Sequence, residues 1–242
     1  MKILLVKRLV DYIDPLDTEL LSALARREGH STFLTILTQD DLETDIKRIR
    51  PDVVAISTMT GECECCLQAA KLVKKMEPRL PVVIGGPHCT FFPEIIENPH
   101  VDFVGSGECD DAWPNLLRAL ETASDTDNIK NIFTKNNWFD RFRDADFNGR
   151  REHLAGRITR LDDLPFLDRE LIYQQTYLAD FPTRSFMSSR GCPFECTYCF
   201  EPKFRKLYAG KGPIFNRYSV KRLCAELKEL KERWPTQFIK FY

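Results

Sequence analysis

The chain has 242 residues and a net charge of −1, so no basic bias points to nucleic acid or an anionic membrane. Hydrophobic residues make up 43% of it, enough for a buried core, but no apolar run approaches 20 residues and no membrane span is expected. Nine cysteines form an odd set. Met1-Lys-Ile-Leu-Leu-Val6 is too short and too soon charged to read as a secretory signal, so the cysteines point to a reducing cytoplasm and to metal or redox use.

The first elements alternate. Lys2–Val6 is a continuous apolar run, as in a strand covered on both faces. A loop with Asp11, Asp14 and Pro15 follows, then Leu20, Leu21, Leu24 and Ala25 at helical spacing, ended by Gly29. Thr32–Leu37 reads as a second strand, and Leu42, Ile46 and Ile49 mark a helix stopped before Pro51. Val53–Ser57 is the third strand, Cys63–Met76 a helix, Pro81–Gly85 the fourth strand and Val101–Val104 the fifth. A helix with Trp113, Leu116, Leu117 and Leu120 comes next. This alternation predicts a flavodoxin-like, doubly wound parallel sheet of order 2-1-3-4-5 over residues 1–125.

Ligands of such folds bind beyond the carboxyl ends of the strands. Here those ends carry Ser57-Thr-Met-Thr-Gly61, Gly85-Gly-Pro-His-Cys-Thr90 and Gly105-Ser-Gly-Glu108. The glycines Gly85, Gly86, Gly105 and Gly107 allow a large planar ligand to approach the backbone. The hydroxyls of Ser57, Thr58 and Thr60 can bind amides or a nucleotide tail. His88 either touches the ligand or satisfies the backbone of a Gly-Pro turn, and Glu108 reads as a helix cap. Cys63, Cys65 and Cys66 open a helix, where 63 and 66 share a face; they read as small core residues rather than a second metal site. Cys89 and Cys109 have no evident partner.

Residues 126–182 form an extension and linker. Ile129–Thr134 and Arg157–Arg160 read as strands, Asp140–Asp146 as a solvated face or hairpin, and a short helix is expected around Asp168–Gln175. Arg184–Met187 should be a first barrel strand that delivers Ser189-Arg-Gly-Cys-Pro-Phe-Glu-Cys-Thr-Tyr-Cys-Phe200 at its carboxyl end. Ser219 caps a helix whose apolar stripe is Val220, Leu223, Cys224, Leu227, Leu230 and Trp234, and Phe238–Tyr242 begins a second strand. Fifty residues follow Cys192, too few for a complete (β/α)8 barrel of roughly 200 residues or more. Residues 183–242 are therefore expected to be an incomplete barrel, and the chain a truncated fragment.

Three cysteines, Cys192, Cys196 and Cys199, are spaced C-x3-C-x2-C. A closed zinc site wants four protein ligands, so three thiolates leave a position open, which suits an iron–sulfur cluster with one free iron. A zinc loop completed by Cys224 is the metal alternative. The loop, with Tyr198 before its last cysteine, resembles the signature of the radical S-adenosylmethionine (SAM) superfamily. That resemblance implies a 4Fe-4S cluster on Cys192, Cys196 and Cys199, SAM on the fourth iron, and Tyr198 near the adenine. It also implies reductive cleavage of SAM to a 5′-deoxyadenosyl radical, with electrons from a flavodoxin or ferredoxin.

Pro51-Asp-Val-Val, Ser57-Thr-Met-Thr60, Gly85-Gly-Pro-His88, Gly105-Ser-Gly-Glu108 and Leu161-Asp-Asp-Leu-Pro-Phe166 resemble the cobalamin-binding domain and linker that precede many radical SAM cores. This resemblance implies cobalamin on Ser57, Thr58, Thr60, Gly85, Gly86, His88, Gly105 and Gly107. The Asp-x-His-x-x-Gly loop that supplies a cobalt ligand elsewhere has no counterpart here. The implied activity is methyl transfer to an unactivated carbon of a small-molecule or peptide substrate, with cyclisation or rearrangement as the alternative chemistry. Two rival expectations are a radical SAM protein with a vestigial first domain and a fragment that is only a cofactor-binding module.

Overall fold

A computed structural model describes all 242 residues, Met1–Tyr242. The chain divides into two compact units, Met1–Leu9 with Leu24–Leu154, and Val10–Ala23 with Ala155–Tyr242.

In chain order the first part comprises β1 (Lys2–Lys7), α1 (Leu16–Arg27), β2 (Ser31–Ile36), α2 (Leu42–Ile49), β3 (Val53–Ser57), α3 (Cys63–Met76), β4 (Val82–Gly85), α4 (Pro87–Phe91), β5 (Phe103–Gly105), α5 (Ala112–Glu121) and β6 (Ile132–Thr134). The sheet order is β2-β1-β3-β4-β5-β6. The first four pairings are parallel and β6 joins β5 antiparallel. The expected 2-1-3-4-5 order is therefore present, with one added edge strand from the segment expected at Ile129–Thr134. The register follows from the apolar runs: Ile3, Leu4, Leu5 and Val6 are buried, as are Val53, Val54 and Ile56 of β3 and Val82 and Ile84 of β4. A strand with both faces covered has no polar side to place in water, so it occupies the middle of the sheet.

Local chemistry sets the helix ends. Asp41 caps α2 by accepting from the Glu43 amide, and Arg50 ends it in the left-handed region at φ 52°. Lys74 near the end of α3 pairs with Asp102 at 2.5 Å, and Asp102 also accepts from the Val82 amide at 2.7 Å. One carboxylate thereby ties α3 to the start of β4.

Several expectations are corrected. Gly85–Thr90 is not an open loop, because Pro87 at the first helical position starts the short helix α4. Helix α5 begins at Ala112 with Asp111 at its cap, so Glu108 lies too far upstream to cap it. Asp140–Asp146, expected as a solvated face or hairpin, is mostly solvent-facing but forms no hairpin. A single turn, α6 (Lys135–Asn137), runs into a π-helical turn over Trp138–Phe142, and α7 (Phe147–Glu152) follows. Its driving force is burial: Phe142 packs edge-on to Phe133 at 5.3 Å and against His153 at 4.6 Å.

The second unit contains α8 (Glu170–Tyr173), β7 (Thr183–Phe186), β8 (Ser189–Arg190), α9 (Glu201–Leu207), β9 (Asn216–Arg217), α10 (Val220–Arg233) and β10 (Phe238–Phe241). Strands β7 and β10 pair in parallel, joined by a crossover that contains α10, as the first two strands of a barrel would. Ser219 caps α10, accepting from the Arg222 amide at 3.1 Å. The apolar stripe assigned to that helix is only partly realised. Leu230 is buried, Trp234 packs edge-on to Tyr173 at 4.8 Å, and Val220 and Cys224 are exposed. Glu226 takes an inward place instead, with Arg222 beside it at 3.5 Å. The strand expected at Arg157–Arg160 does not form, because Arg157 bonds to residues 211–214 singly rather than along a ladder.

Candidate functional site

In the first unit, the carboxyl ends of β3, β4 and β5 hold the expected ligand loops side by side. Thr58 is fully buried, and its amide donates to the Gly85 carbonyl at 2.9 Å. Gly86 follows at φ +104°, and a Cβ there would lie 2.6 Å from the Thr58 oxygen and 3.0 Å from its nitrogen. Only glycine allows this approach. Gly85 differs, since its added Cβ would meet nothing nearer than the Gly105 oxygen at 3.8 Å. We expect Gly86→Ala to cost about 1–3 kcal/mol, the usual range for a forced backbone conformation, and Gly85→Ala far less. Paired urea unfolding curves check this; equal midpoints for the two variants would contradict it.

The side chains of these loops cross-link one another. Lys7, at the end of β1, donates to the Ser57 hydroxyl at 3.3 Å. His88 Nδ1 lies 3.2 Å from the Thr60 hydroxyl, and its ring stacks on Phe92 at 5.0 Å. Thr90 accepts from the Gly107 amide at 3.0 Å and donates to the Gly86 carbonyl at 3.2 Å. The Ser106 amide donates to the Asn131 carbonyl, and Asn131 Nδ2 returns a bond to Ser106 at 2.7 Å. Lys7, Thr90 and Asn131 were not singled out as site residues by sequence. Thr90 ends the Gly85–Thr90 stretch, but no local pattern shows that its hydroxyl spans two loops. Ser57 and Thr60 place hydroxyls at the rim over glycine backbone, able to bind amide and phosphate groups of a large ligand, whereas Thr58, expected to do the same, is buried with its hydroxyl donating to the Met59 carbonyl at 3.1 Å.

Of this unit's cysteines, Cys63, Cys65 and Cys109 are half-buried and two lie in the core. Cys66 and Cys89 are buried, and burial pushes both thiols up; burial likewise raises Cys109 to about 12. Thiols kept protonated are poor metal ligands. This agrees with reading Cys66 as a small core residue.

In the second unit, β8 pairs with β9 and leads into the cysteine loop. Gly191 has φ +87° and packs so tightly on the Ile214 carbonyl that an added Cβ would lie 2.0 Å from it. Cys192, Cys196 and Cys199 are all free; Cys196 is exposed and the other two are half-buried. The Cys199 amide donates to the Cys196 carbonyl at 3.1 Å, so a tight turn closes the second half of the loop. The three thiols are not gathered into a finished metal-holding group. As a donor set they fit a soft-metal centre, being three uncommitted thiols within eight residues of one loop. Tyr198 projects into solvent at 91% exposure.

The class defined by this architecture is a doubly wound ligand-binding domain followed by the opening β/α units of a barrel. Residues 2–117 match the B12 binding domain family. An uncharacterized methyltransferase of Pyrococcus horikoshii is 31% identical over the whole chain, which spans 53% of that relative. The hopanoid C-3 methylase of Methylococcus capsulatus is 26% identical over 91% of the chain and 41% of its own length. Among solved structures, the radical SAM methyltransferase TsrM of Kitasatospora setae, with tryptophan and a SAM analogue bound, superposes with a TM-score of 0.67. It is 17% identical, covering 98% of this chain and 47% of TsrM. The chain therefore spans about half the length, or less, of these relatives. Residues 2–117 are thus similar to a B12 binding domain, the chain is similar in sequence to these two methyltransferases, and the likeness to TsrM is one of fold.

Proposed function

We propose that this chain is the cofactor-binding portion of a cobalamin-dependent radical SAM methyltransferase. The observation that carries the reading is the order of parts: a B12-binding domain over residues 2–117, then a three-thiol loop at the head of a two-strand barrel start. Cys192, Cys196 and Cys199 would hold three irons of a 4Fe-4S cluster, leaving the fourth for SAM. Bound there, cluster and SAM supply one-electron radical chemistry, and cobalamin supplies the methyl group. Ser57, Thr60 and His88, with the backbones of Gly85, Gly86, Gly105 and Gly107, would hold cobalamin, and the buried Thr58 would brace Gly86 from beneath. Tyr198 would cover the adenine.

The protein's own part is to bind and orient. The hydroxyl rim offers donors and acceptors to amides, and the glycines let the ligand reach the backbone. His88 is already engaged with Thr60 and Phe92, which fits a contact at the corrin edge better than a cobalt ligand. No helix is long and apolar enough to cross a membrane. We further propose a small-molecule or peptide substrate, a flavodoxin or ferredoxin as reductant, and a cytoplasmic location, where nine free thiols stay reduced.

Anaerobic reconstitution with iron, sulfide and hydroxocobalamin tests the reading. About four irons per chain, as a 4Fe-4S cluster requires, together with a bound corrin spectrum, is the expected result. Alanine at all three loop cysteines should remove the iron and leave the corrin. Iron without corrin would favour a vestigial first domain, and corrin without iron a cobalamin module alone.

A further inference from the structure

Arg157 is a strongly buried cation beside the cysteine loop. It is 7% exposed. Its Nη1 donates to the carbonyls of Pro213 at 2.9 Å and Ile214 at 3.0 Å. The guanidinium also lies over the rings of Phe204 at 5.7 Å and Tyr208 at 5.8 Å. Its backbone amide donates to the Lys211 carbonyl at 2.6 Å.

These contacts reach both ends of the loop. At the entry, the same Ile214 carbonyl packs on Gly191, the residue before Cys192, and Arg157 Nη1 would lie 3.3 Å from a Cβ there. At the exit, Phe204 belongs to α9, which begins two residues after Cys199. Asn216 of β9 donates from its side-chain Nδ2 to the Ile158 carbonyl at 2.8 Å, and β9 pairs with β8 just before the loop. A buried guanidinium is costly unless its donors and faces are used. Here one nitrogen, Nη1, serves two carbonyls while the guanidinium lies over two rings, and a compact lysine ammonium cannot do both from one position.

We propose that Arg157 is the positioning residue of the cysteine loop, holding the loop's entry and exit at a fixed separation so that three thiols can converge on one centre. What the loop holds rests on the proposed function above; the positioning does not. The thiols themselves stay uncommitted, so the anchoring lies outside the ligands.

The test compares the full chain with Arg157→Met, Arg157→Lys and Gly191→Ala, using Arg160→Met as a control because Arg160 is exposed and pairs only locally with Asp163. Amide exchange of peptides spanning residues 188–218 is read first, in the metal-free protein. It should rise at least about tenfold in the three variants, as for a local opening, with exchange across β1, β3 and β4 unchanged. Iron bound after anaerobic reconstitution should fall severalfold in parallel, and the control should match the parent in both. Unchanged exchange in Arg157→Lys and Gly191→Ala overturns the inference. If Arg157→Met unfolds, Arg157→Lys, which keeps the charge, decides. If the parent itself binds no iron, the cluster reading fails and the exchange data still judge Arg157.

Discussion

Replacing Arg169 with methionine is expected to destabilise the second unit by about 3–5 kcal/mol, the cost of stripping the partner from buried charges. Arg169 is 5% exposed and sits between two buried carboxyl groups, 3.4 Å from Asp14 and 3.7 Å from Glu19. Its Nη2 donates to the Ser185 carbonyl in β7 at 2.7 Å. Asp14 in turn accepts from the Ser185 amide at 2.5 Å and from the Tyr173 hydroxyl at 2.6 Å. The Val10–Ala23 segment is thus fastened to β7 through one charged network. Burial by itself would lower the Arg169 pKa, but the acidic groups around it, Asp14 among them, raise it, so the side chain stays charged. Methionine fills similar volume and removes only the cation and its donors. Lysine should be intermediate, since one ammonium cannot serve Asp14 and Ser185 with the same geometry. Urea unfolding at pH 7 measures both; a loss below about 1 kcal/mol for methionine, the level of an exposed pair, would refute a buried network.

The second large effect concerns pH. Glu19 is fully buried, and neither carboxyl oxygen has a hydrogen-bond partner. Burial pushes its pKa up to about 8, against the pull of Arg169. Asp14 is the better-provided acceptor of the two, so one guanidinium and two neighbouring donors serve it, and Glu19 is the neutral member. The usual value is 4.5, so between pH 4.5 and 8 the unfolded chain has lost this proton and the folded chain has kept it. Stability from the neutral carboxyl is full below that window and is lost as pH rises through it, by about 1.4 kcal/mol per pH unit. By pH 7 the loss is on the order of 3 kcal/mol. Glu19→Gln, which cannot ionise, should flatten the stability–pH curve between pH 5 and 8 by that slope. The readout is the difference between the two urea midpoint–pH curves; parallel curves would show that Glu19 is ionised in the fold.

Together these variants address an arrangement that no local pattern revealed. Asp14 stood in the sequence as a loop residue after the first strand, and Glu19, just ahead of the helical run that opens at Leu20, carried no signal of its own. Their partners, Arg169, Tyr173 and Ser185, lie about 150 to 170 residues away in the chain. Thr90 and Arg157 were hidden for the same reason, because a hydroxyl that spans two loops and a guanidinium that spans a cysteine loop are defined by contacts across turns. The stripe assigned to α10 erred in the other direction. Helical periodicity marks a face that can be buried, and the fold buries only part of it, with Glu226 and Leu230 inward and Val220 outward.

Periodicity and residue chemistry act over a few neighbours, and what they governed was readable directly. Continuous apolar runs at Lys2–Val6 and Val53–Ser57 require strands covered on both faces, and their alternation with helices requires parallel crossovers; the observed sheet order follows. The glycines after β4 and β5 and the C-x3-C-x2-C spacing likewise carry their chemistry locally. Tertiary structure alone decided that Val10–Ala23 packs with the second unit, that Asp14 and Glu19 share Arg169, and that Arg157 underpins the cysteine loop. These depend on which distant groups compete for the same buried donors, and desolvation makes that competition strong only once the chain has closed around them.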